Sequence, residues 1–206
     1  MNGEHYFSQR PASPAERRTI RVRLRGREHE VVTAGGVFSP ERLDTGTRVL
    51  LELAPEPPAA GAALDLGCGW GPIAMALAGC SPELDVWAVD VNERALELAR
   101  DNAERAGLRR VRTAGPQEVP EGLRFRLVWS NPPIRIGKKA LHGLLRQWLP
   151  RLEPGGEAYL VVAKQLGADS LQRWLAAELP GFEVSRHGTD RGFRVLRAAR
   201  TAPEDA

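Results

Sequence analysis

The segment Ala62–Pro72 constrains the fold more than any other: an apolar run ends at Leu66, three glycines follow at alternate positions (Gly67, Gly69, Gly71), and Pro72 comes next. A short apolar run that enters a glycine turn and restarts at a proline reads as a buried strand, a tight loop and a helix over about 72–79. The unit repeats. Leu84–Val89 forms the next strand and ends at Asp90, after which Asn92 caps a helix whose Ala95, Leu98, Ala99 and Asn102 recur at helical spacing until Gly107 stops it. Further strands are expected at 110–113, 125–130 and 157–163, the last after a Pro154-Gly155-Gly156 turn, with helices at 139–149 and 169–179. Strands at 182–186 and 193–197 close the chain, and their short connection makes them antiparallel. Apolar strands alternating with helices predict an α/β fold with a mostly parallel seven-stranded sheet, an antiparallel last strand and helices on both faces.

Upstream, 19–25 and 28–33 read as a β-hairpin turning at Arg25-Gly26-Arg27, and Thr47–Leu53 as a short helix closed by Pro55-Glu56-Pro57-Pro58. The chain therefore divides into an N-terminal extension (1–54) that carries the hairpin, a core (55–200) and an unstructured tail (201–206). At 206 residues and 42% apolar content, one α/β domain with a modest addition is expected. No apolar run approaches the roughly 20 residues of a membrane span, and the N-terminus lacks the apolar stretch of a secretory signal. Cys68 and Cys80 show neither metal-ligand spacing nor a disulfide pattern. These features point to a reduced cytoplasmic protein without metal or membrane attachment.

The net charge of +3 hides an uneven distribution. Residues 1–30 hold seven arginines (10, 17, 18, 21, 23, 25, 27) against four glutamates, and strand alternation puts Ile20, Val22 and Leu24 on the face opposite the arginines. A second basic group comprises Arg135, Lys138, Lys139, His142 and Arg146, of which 138, 142 and 146 share a helix face. Either group could contact phosphates; a solvated surface accounts for the first group equally well.

The glycine loop lets backbone approach a nucleoside at the carboxyl end of the first core strand. A dinucleotide fold would prefer glycine where Pro72 stands. Asp65 repels a phosphate and favours a cation, and Asp90 is placed for ribose hydroxyls. A nucleoside with positive charge and no phosphate fits, and S-adenosylmethionine is such a ligand. After the apolar run Leu127-Val128-Trp129, Asn131-Pro132-Pro133-Ile134 ends the next strand. Prolines donate no backbone hydrogen bond and extend the preceding residue. The Asn131 carboxamide and the Pro132 carbonyl thus project as acceptors, suited to an exocyclic amine whose hydrogens must be held during attack on an electrophile.

At these residues the chain resembles the class I S-adenosylmethionine-dependent methyltransferases, in particular the small methyltransferase domain of the ribosomal small-subunit (16S) RNA guanine-N2 methyltransferases. The resemblance rests on Glu4-His5-Tyr6-Phe7-Ser8, Gly36-Val37-Phe38-Ser39, Asp44-Thr45-Gly46-Thr47-Arg48, the loop Asp65–Gly71, Val89–Leu96, Ser130–Arg135, Gly137-Lys138-Lys139 and Gly192–Leu196, nearly the whole chain. It implies a Rossmann-like fold and cofactor contacts at Asp65, Gly67, Cys68, Gly69, Gly71, Asp90, Val91 and Asn131. Thr47 closes the methionine end and Phe38 covers the pocket. Asn131 and Pro132 become the catalytic acceptors, and Pro133, Ile134, Arg135, Lys138 and Lys139 contact the substrate. Ile134, where related adenine or glutamine enzymes carry an aromatic residue, is typical of the guanine-N2 group. Tyr6 and Phe7 are candidates for holding an unstacked base. Two departures stand out: Arg126 where an acid is usual, and Gly115-Pro116 where an acid near the adenine amine is expected.

The resemblance thus implies methyl transfer to a guanine N2 of small-subunit ribosomal RNA, with that RNA or the small subunit as partner and a monomeric or homodimeric enzyme. The wider family often adds a second, degenerate copy of the domain, for which 206 residues leave no room, so RNA recognition is expected from the N-terminal extension or a partner. Transfer to another amino acceptor (adenine N6 or a protein glutamine) is one alternative, and a non-catalytic RNA-binding assembly factor is another.

Overall fold

The computed structural model describes residues 16–202. Tyr6, Phe7, Arg10 and most of the tail lie outside these residues. The first elements are β1 (Arg17–Leu24) and β2 (Arg27–Ala34), an antiparallel hairpin in which Leu24 faces Arg27. Its two-residue turn has both φ positive (Arg25 45°, Gly26 85°), the mirror-image geometry that matches strand twist. Helix α1 (Thr45–Leu53) follows, then β3 (Ala60–Leu66), α2 (Pro72–Cys80), β4 (Glu83–Val89), α3 (Glu93–Arg105), β5 (Val111–Ala114) and β6 (Phe125–Ser130). The chain ends with α4 (Lys138–Trp148), β7 (Leu152–Ala163), α5 (Ala168–Glu178), β8 (Phe182–Asp190) and β9 (Phe193–Arg200).

Seven strands form one sheet in the order β5-β4-β3-β6-β7-β9-β8, parallel except for β9, which runs antiparallel to both neighbours. The chain leaves β3 toward one edge through β4 and β5, then returns to build the other half from β6. The strand order reverses between β3 and β6, and crevices for ligands open at such a reversal. Successive strand residues feed opposite faces: Leu64, Val128 and Leu160 pack under α4 and α5, whereas Ala63, Trp129 and Val161 pack on the other side. No helix among the described residues is long and apolar enough to cross a membrane.

One expected boundary is corrected. The Pro154-Gly155-Gly156 sequence is no turn before a strand; it lies inside β7, which begins at Leu152. The pairing with β6 slips there, from Phe125 opposite Leu152 to Leu127 opposite Glu157. A β-carbon on Gly156 would stand 2.9 Å from the Glu153 carbonyl and 3.0 Å from that of Phe125, so the bulge needs glycine.

The hairpin joins the same core as the sheet: Val22, Leu24, Val31 and Val32 cluster with α1, α2 and Trp129. A buried side chain latches it. Asn102 of α3 accepts from the Val32 N–H (2.7 Å) and donates to the Val32 carbonyl (2.9 Å) and the Trp70 carbonyl (3.0 Å). Its spacing with Ala95, Leu98 and Ala99 makes it part of the buried stripe of α3. Most hairpin arginines are matched by carboxylates. Arg17 pairs with Asp101, Arg18 with Glu41, Arg23 with Glu28 and Arg25 with Glu56, and Arg25 also donates to the Leu51 and Ala54 carbonyls beneath it.

Asp65 lies on the face of β3 beneath α2 and is fully buried. Its Oδ2 accepts from the Ala74 N–H at 2.9 Å, while Oδ1 has no partner. Burial, aided by the nearby Asp90 charge, pushes its carboxyl up to about 8. In the unfolded chain the group ionises near its ordinary 3.8. Between those values the folded state holds the extra proton, so the contribution to stability is full below pH 4 and is lost as pH rises toward 8.

Two outcomes are expected. Asn102→Ala, which strands three buried backbone groups, should lower unfolding free energy in urea by roughly 2–4 kcal/mol. Asp65→Asn should flatten the fall of stability between pH 4 and 8, a fall whose slope from this one group cannot exceed about 1.4 kcal/mol per pH unit; an unchanged profile in denaturation series across that range would rule out this assignment.

Candidate active site

The glycine loop turns because three residues adopt positive φ: Gly67 (79°), Gly69 (54°) and Gly71 (91°). Gly71 is required on a second ground, since a β-carbon there would lie 3.1 Å from Cα and Cβ of Ala99, where α2 meets α3. Neighbouring backbone holds the loop in place, with the Gly67 and Cys68 N–H groups donating to the Val89 carbonyl at 2.8 and 3.0 Å. Asp90 completes it: Oδ2 accepts from the Gly69 N–H and Oδ1 from the Asn92 N–H, both at 2.9 Å. Burial raises the Asp90 carboxyl above its usual range, and those backbone donors oppose the rise. Each oxygen keeps a lone pair beyond the bond it accepts.

Beside this loop, the Ser130 hydroxyl donates to the Leu66 carbonyl at 2.6 Å and ties the end of β6 to the end of β3. The next residue is Asn131. Its Nδ2 donates to Asp44 Oδ2 (2.8 Å) and reaches Thr47 Oγ1 (3.0 Å). Asp44 is the N-cap of α1 and accepts from the Thr47 N–H at 3.0 Å. The Pro132 carbonyl is engaged, contrary to the expectation of a free acceptor: it receives the Ile134 N–H at 2.8 Å. With φ −73° and ψ 75° at Pro133, this is an inverse γ-turn. One of the two carbonyl lone pairs is used and the second remains.

Loop and strand ends enclose a cavity of about 680 Å³. Gly67, Gly69, Asp90, Val91 and Pro116 line the half belonging to β3 and β4, while Ile134, Arg135, Val161, Gln165 and Phe193 line the half belonging to β6, β7 and β9. Asn131, Pro132, Pro133, Phe38 and Asp44 also line it. The structure therefore brings most of the anticipated residues to one cavity, but not all. Thr47 and Cys68 line only a side recess of about 20 Å³, room for one water. Cys68 points its side chain into the core, where burial holds the thiol well above its ordinary range. Asp65 and Gly71 touch neither space and act from beneath, through Ala74 and Ala99.

Lys138 and Lys139 stand exposed in the first turn of α4, and no carboxylate among the described residues pairs with them or with Arg135. The rest of that basic group is committed elsewhere. His142 stacks on Trp174 of α5 (centroids 3.6 Å apart, 13° between planes), and Arg146 pairs with Glu178 at 2.6 Å. Arg126 lies at the amino end of β6, across Gly61 and away from the cavity. At Gly115-Pro116 an acid is present three residues later, as Glu118 accepts from the Gly115 N–H at 2.5 Å and shapes the turn. Among the described residues no group of three or more His, Cys, Asp or Glu side chains could hold a metal.

Comparison with known proteins places this arrangement. The chain is 34% identical over 200 residues to the uncharacterised Bacillus subtilis protein YbxB, covering 96% of this chain and 98% of YbxB. It is 33% identical over 189 residues to ribosomal RNA small subunit methyltransferase C of Pseudomonas syringae, covering 89% of this chain and 54% of that one. The chain thus spans about half the length of that enzyme. Among solved structures it is similar to the T. thermophilus 16S rRNA methyltransferase RsmC in complex with AdoMet and guanosine, with TM-score 0.76 and 24% identity over 91% of this chain and 51% of that one, a likeness of fold. The family model for the methyltransferase small domain matches residues 28–197, and the chain belongs to that family.

Proposed function

We propose that this protein transfers a methyl group from S-adenosylmethionine to the exocyclic N2 amine of a guanine in small-subunit ribosomal RNA, in the cytoplasm. The observation that carries this reading is the Asn131 carboxamide, whose nitrogen is occupied by Asp44 and Thr47 while the residue lines a cavity shared with the glycine loop. The cavity, at about 680 Å³, falls within the range of small-molecule sites and accommodates a nucleoside with a base beside it. Close backbone at Gly67 and Gly69 and a carboxylate at Asp90 suit a ribose and a cation, and disfavour a phosphate.

When bound, S-adenosylmethionine supplies a methyl group on a sulfonium, so that the leaving group is a neutral thioether and needs no acid. The residues of the chain solve the other half of the problem. The guanine amine is a weak nucleophile because its lone pair is delocalised into the ring. Asn131 Oδ1 and the second lone pair of the Pro132 carbonyl accept its two hydrogens and turn the nitrogen lone pair toward the methyl. Fixing that geometry at roughly 3 Å supplies much of the rate advantage. After the nitrogen–carbon bond has formed, the surplus proton leaves to solvent. A base inside folded RNA must first be unstacked, at a cost of a few kcal/mol. Arg135 at the cavity wall, and Lys138 and Lys139 exposed in the first turn of α4, have no carboxylate partner among the described residues, and the three would hold the flanking phosphates. Ile134, an aliphatic residue at the cavity wall, supports guanine over acceptors that call for aromatic stacking.

Asn131→Ala should lower transfer from radiolabelled S-adenosylmethionine to small-subunit RNA at least ~100-fold, the scale of losing one oriented polar group from a transition state. Calorimetric affinity for S-adenosylhomocysteine should persist in the same variant. Nucleoside mass spectrometry of ribosomal RNA from a deletion strain and its parent identifies the product: loss of N2-methylguanosine supports the reading, and loss of another methylated nucleoside replaces it.

A further inference from the structure

We infer that Asp44 is a positioning residue for methyl transfer: it fixes which way round the Asn131 carboxamide sits, and so decides that an oxygen rather than an amino group meets the substrate amine. This inference rests on the transfer reaction proposed above. A carboxamide is nearly symmetrical in shape, and turning it over exchanges an acceptor for a donor. Turned over, Asn131 would oppose the incoming amine with its own hydrogens. Something must select the sense, and the two partners of Nδ2 differ in their power to do so. The Thr47 hydroxyl both donates and accepts, so it satisfies either sense. An ionised carboxylate only accepts, so Asp44 Oδ2, at 2.8 Å, admits the NH₂ and excludes the oxygen.

The carboxylate is itself held. The Thr47 N–H donates to the same Oδ2 at 3.0 Å, and the N-terminus of α1 favours a negative charge at its cap. No Lys or Arg among the described residues neutralises it in an ion pair. Gly46 leaves it room, because a β-carbon there would lie 3.0 Å from Oδ2 and 2.9 Å from the Phe193 ring. Asp44 and Asn131 are 87 residues apart, at the cap of α1 and after β6, yet both line the cavity. One residue therefore caps a helix and orients a catalytic amide on the same oxygen.

The test uses Asp44→Asn and Asp44→Ser in the full chain, because both substitutes cap helices as Asp does and spare the fold. In the first variant the new carboxamide can donate as well as accept, so the one-way restraint disappears; in the second the serine is too short to reach Asn131. With small-subunit RNA and S-adenosylmethionine, kcat should fall ~10- to 150-fold in both variants, the range of one charge-assisted hydrogen bond. KM for RNA, S-adenosylhomocysteine affinity and melting temperature should stay close to wild type. On an Asn131→Ala background, Asp44→Asn should cost nothing more, since the group it acts through is gone. The side-chain amide proton resonances of Asn131, assigned by their loss in Asn131→Ala, should move in both Asp44 variants. Full turnover in Asp44→Asn, a loss that multiplies on the Asn131→Ala background, a loss lying wholly in cofactor affinity, or unmoved amide resonances would each overturn the inference. A wild-type chain that transfers no methyl to RNA would instead overturn the proposed function, and the resonances would still decide whether Asp44 orients the amide.

Discussion

A single buried hydroxyl, that of Ser130, reaches the Leu66 carbonyl where two neighbouring parallel strands, held in register by their backbone ladder, end side by side. From that coincidence the rest of the site follows. One strand continues into the glycine loop and the other into Asn131, so a nucleoside-binding loop and a pair of acceptors face one cavity without any long side chain bridging them. The placement is a property of the sheet. The strand order reverses between β3 and β6, and the chain is free to leave the sheet in opposite directions at that point.

The N-terminal segment supplies what the sheet lacks. The hairpin is latched by Asn102 and buries its apolar face in the same core as α2 and α3. It delivers the chain to Asp44 and α1 at the third side of the cavity. The residues that shape the site beneath its surface, Asp65, Gly71 and Asn102, work by fixing backbone and do not line the cavity themselves.

Much of the architecture is legible in the sequence, because burial on one or two faces imposes the 3.6 and 2.0 periods that the chain displays. Ala95, Leu98, Ala99 and Asn102 mark the buried face of α3, and the alternation of Ile20, Val22 and Leu24 marks that of β1. The glycine loop and Asn131 announce themselves through residues that only special backbone geometry rewards. What stays hidden depends on partners distant in sequence. The arginines of the hairpin look available for phosphates, yet Arg17 finds Asp101 and Arg18 finds Glu41. His142 looks like a surface cation and lies flat on Trp174 of another helix. Asp44 carries every local sign of an ordinary helix cap, and nothing near it in sequence betrays the reach to Asn131. The strand that runs through Pro154-Gly155-Gly156 reads as a turn because a bulge and a turn use the same residues.

The inverse γ-turn at Pro133 has a consequence for what the cavity admits. Two imino acids in succession provide no amide hydrogens, and the first one beyond them, on Ile134, folds back onto the Pro132 oxygen. The ledge beside Asn131 is thus oxygen-faced and stripped of protons. A keto group brought against it would meet like partial charges, whereas an NH₂ finds complementary ones. The main chain thereby favours a hydrogen-bond donor over an acceptor at this edge, in the same sense as the Asn131 carboxamide oxygen beside it.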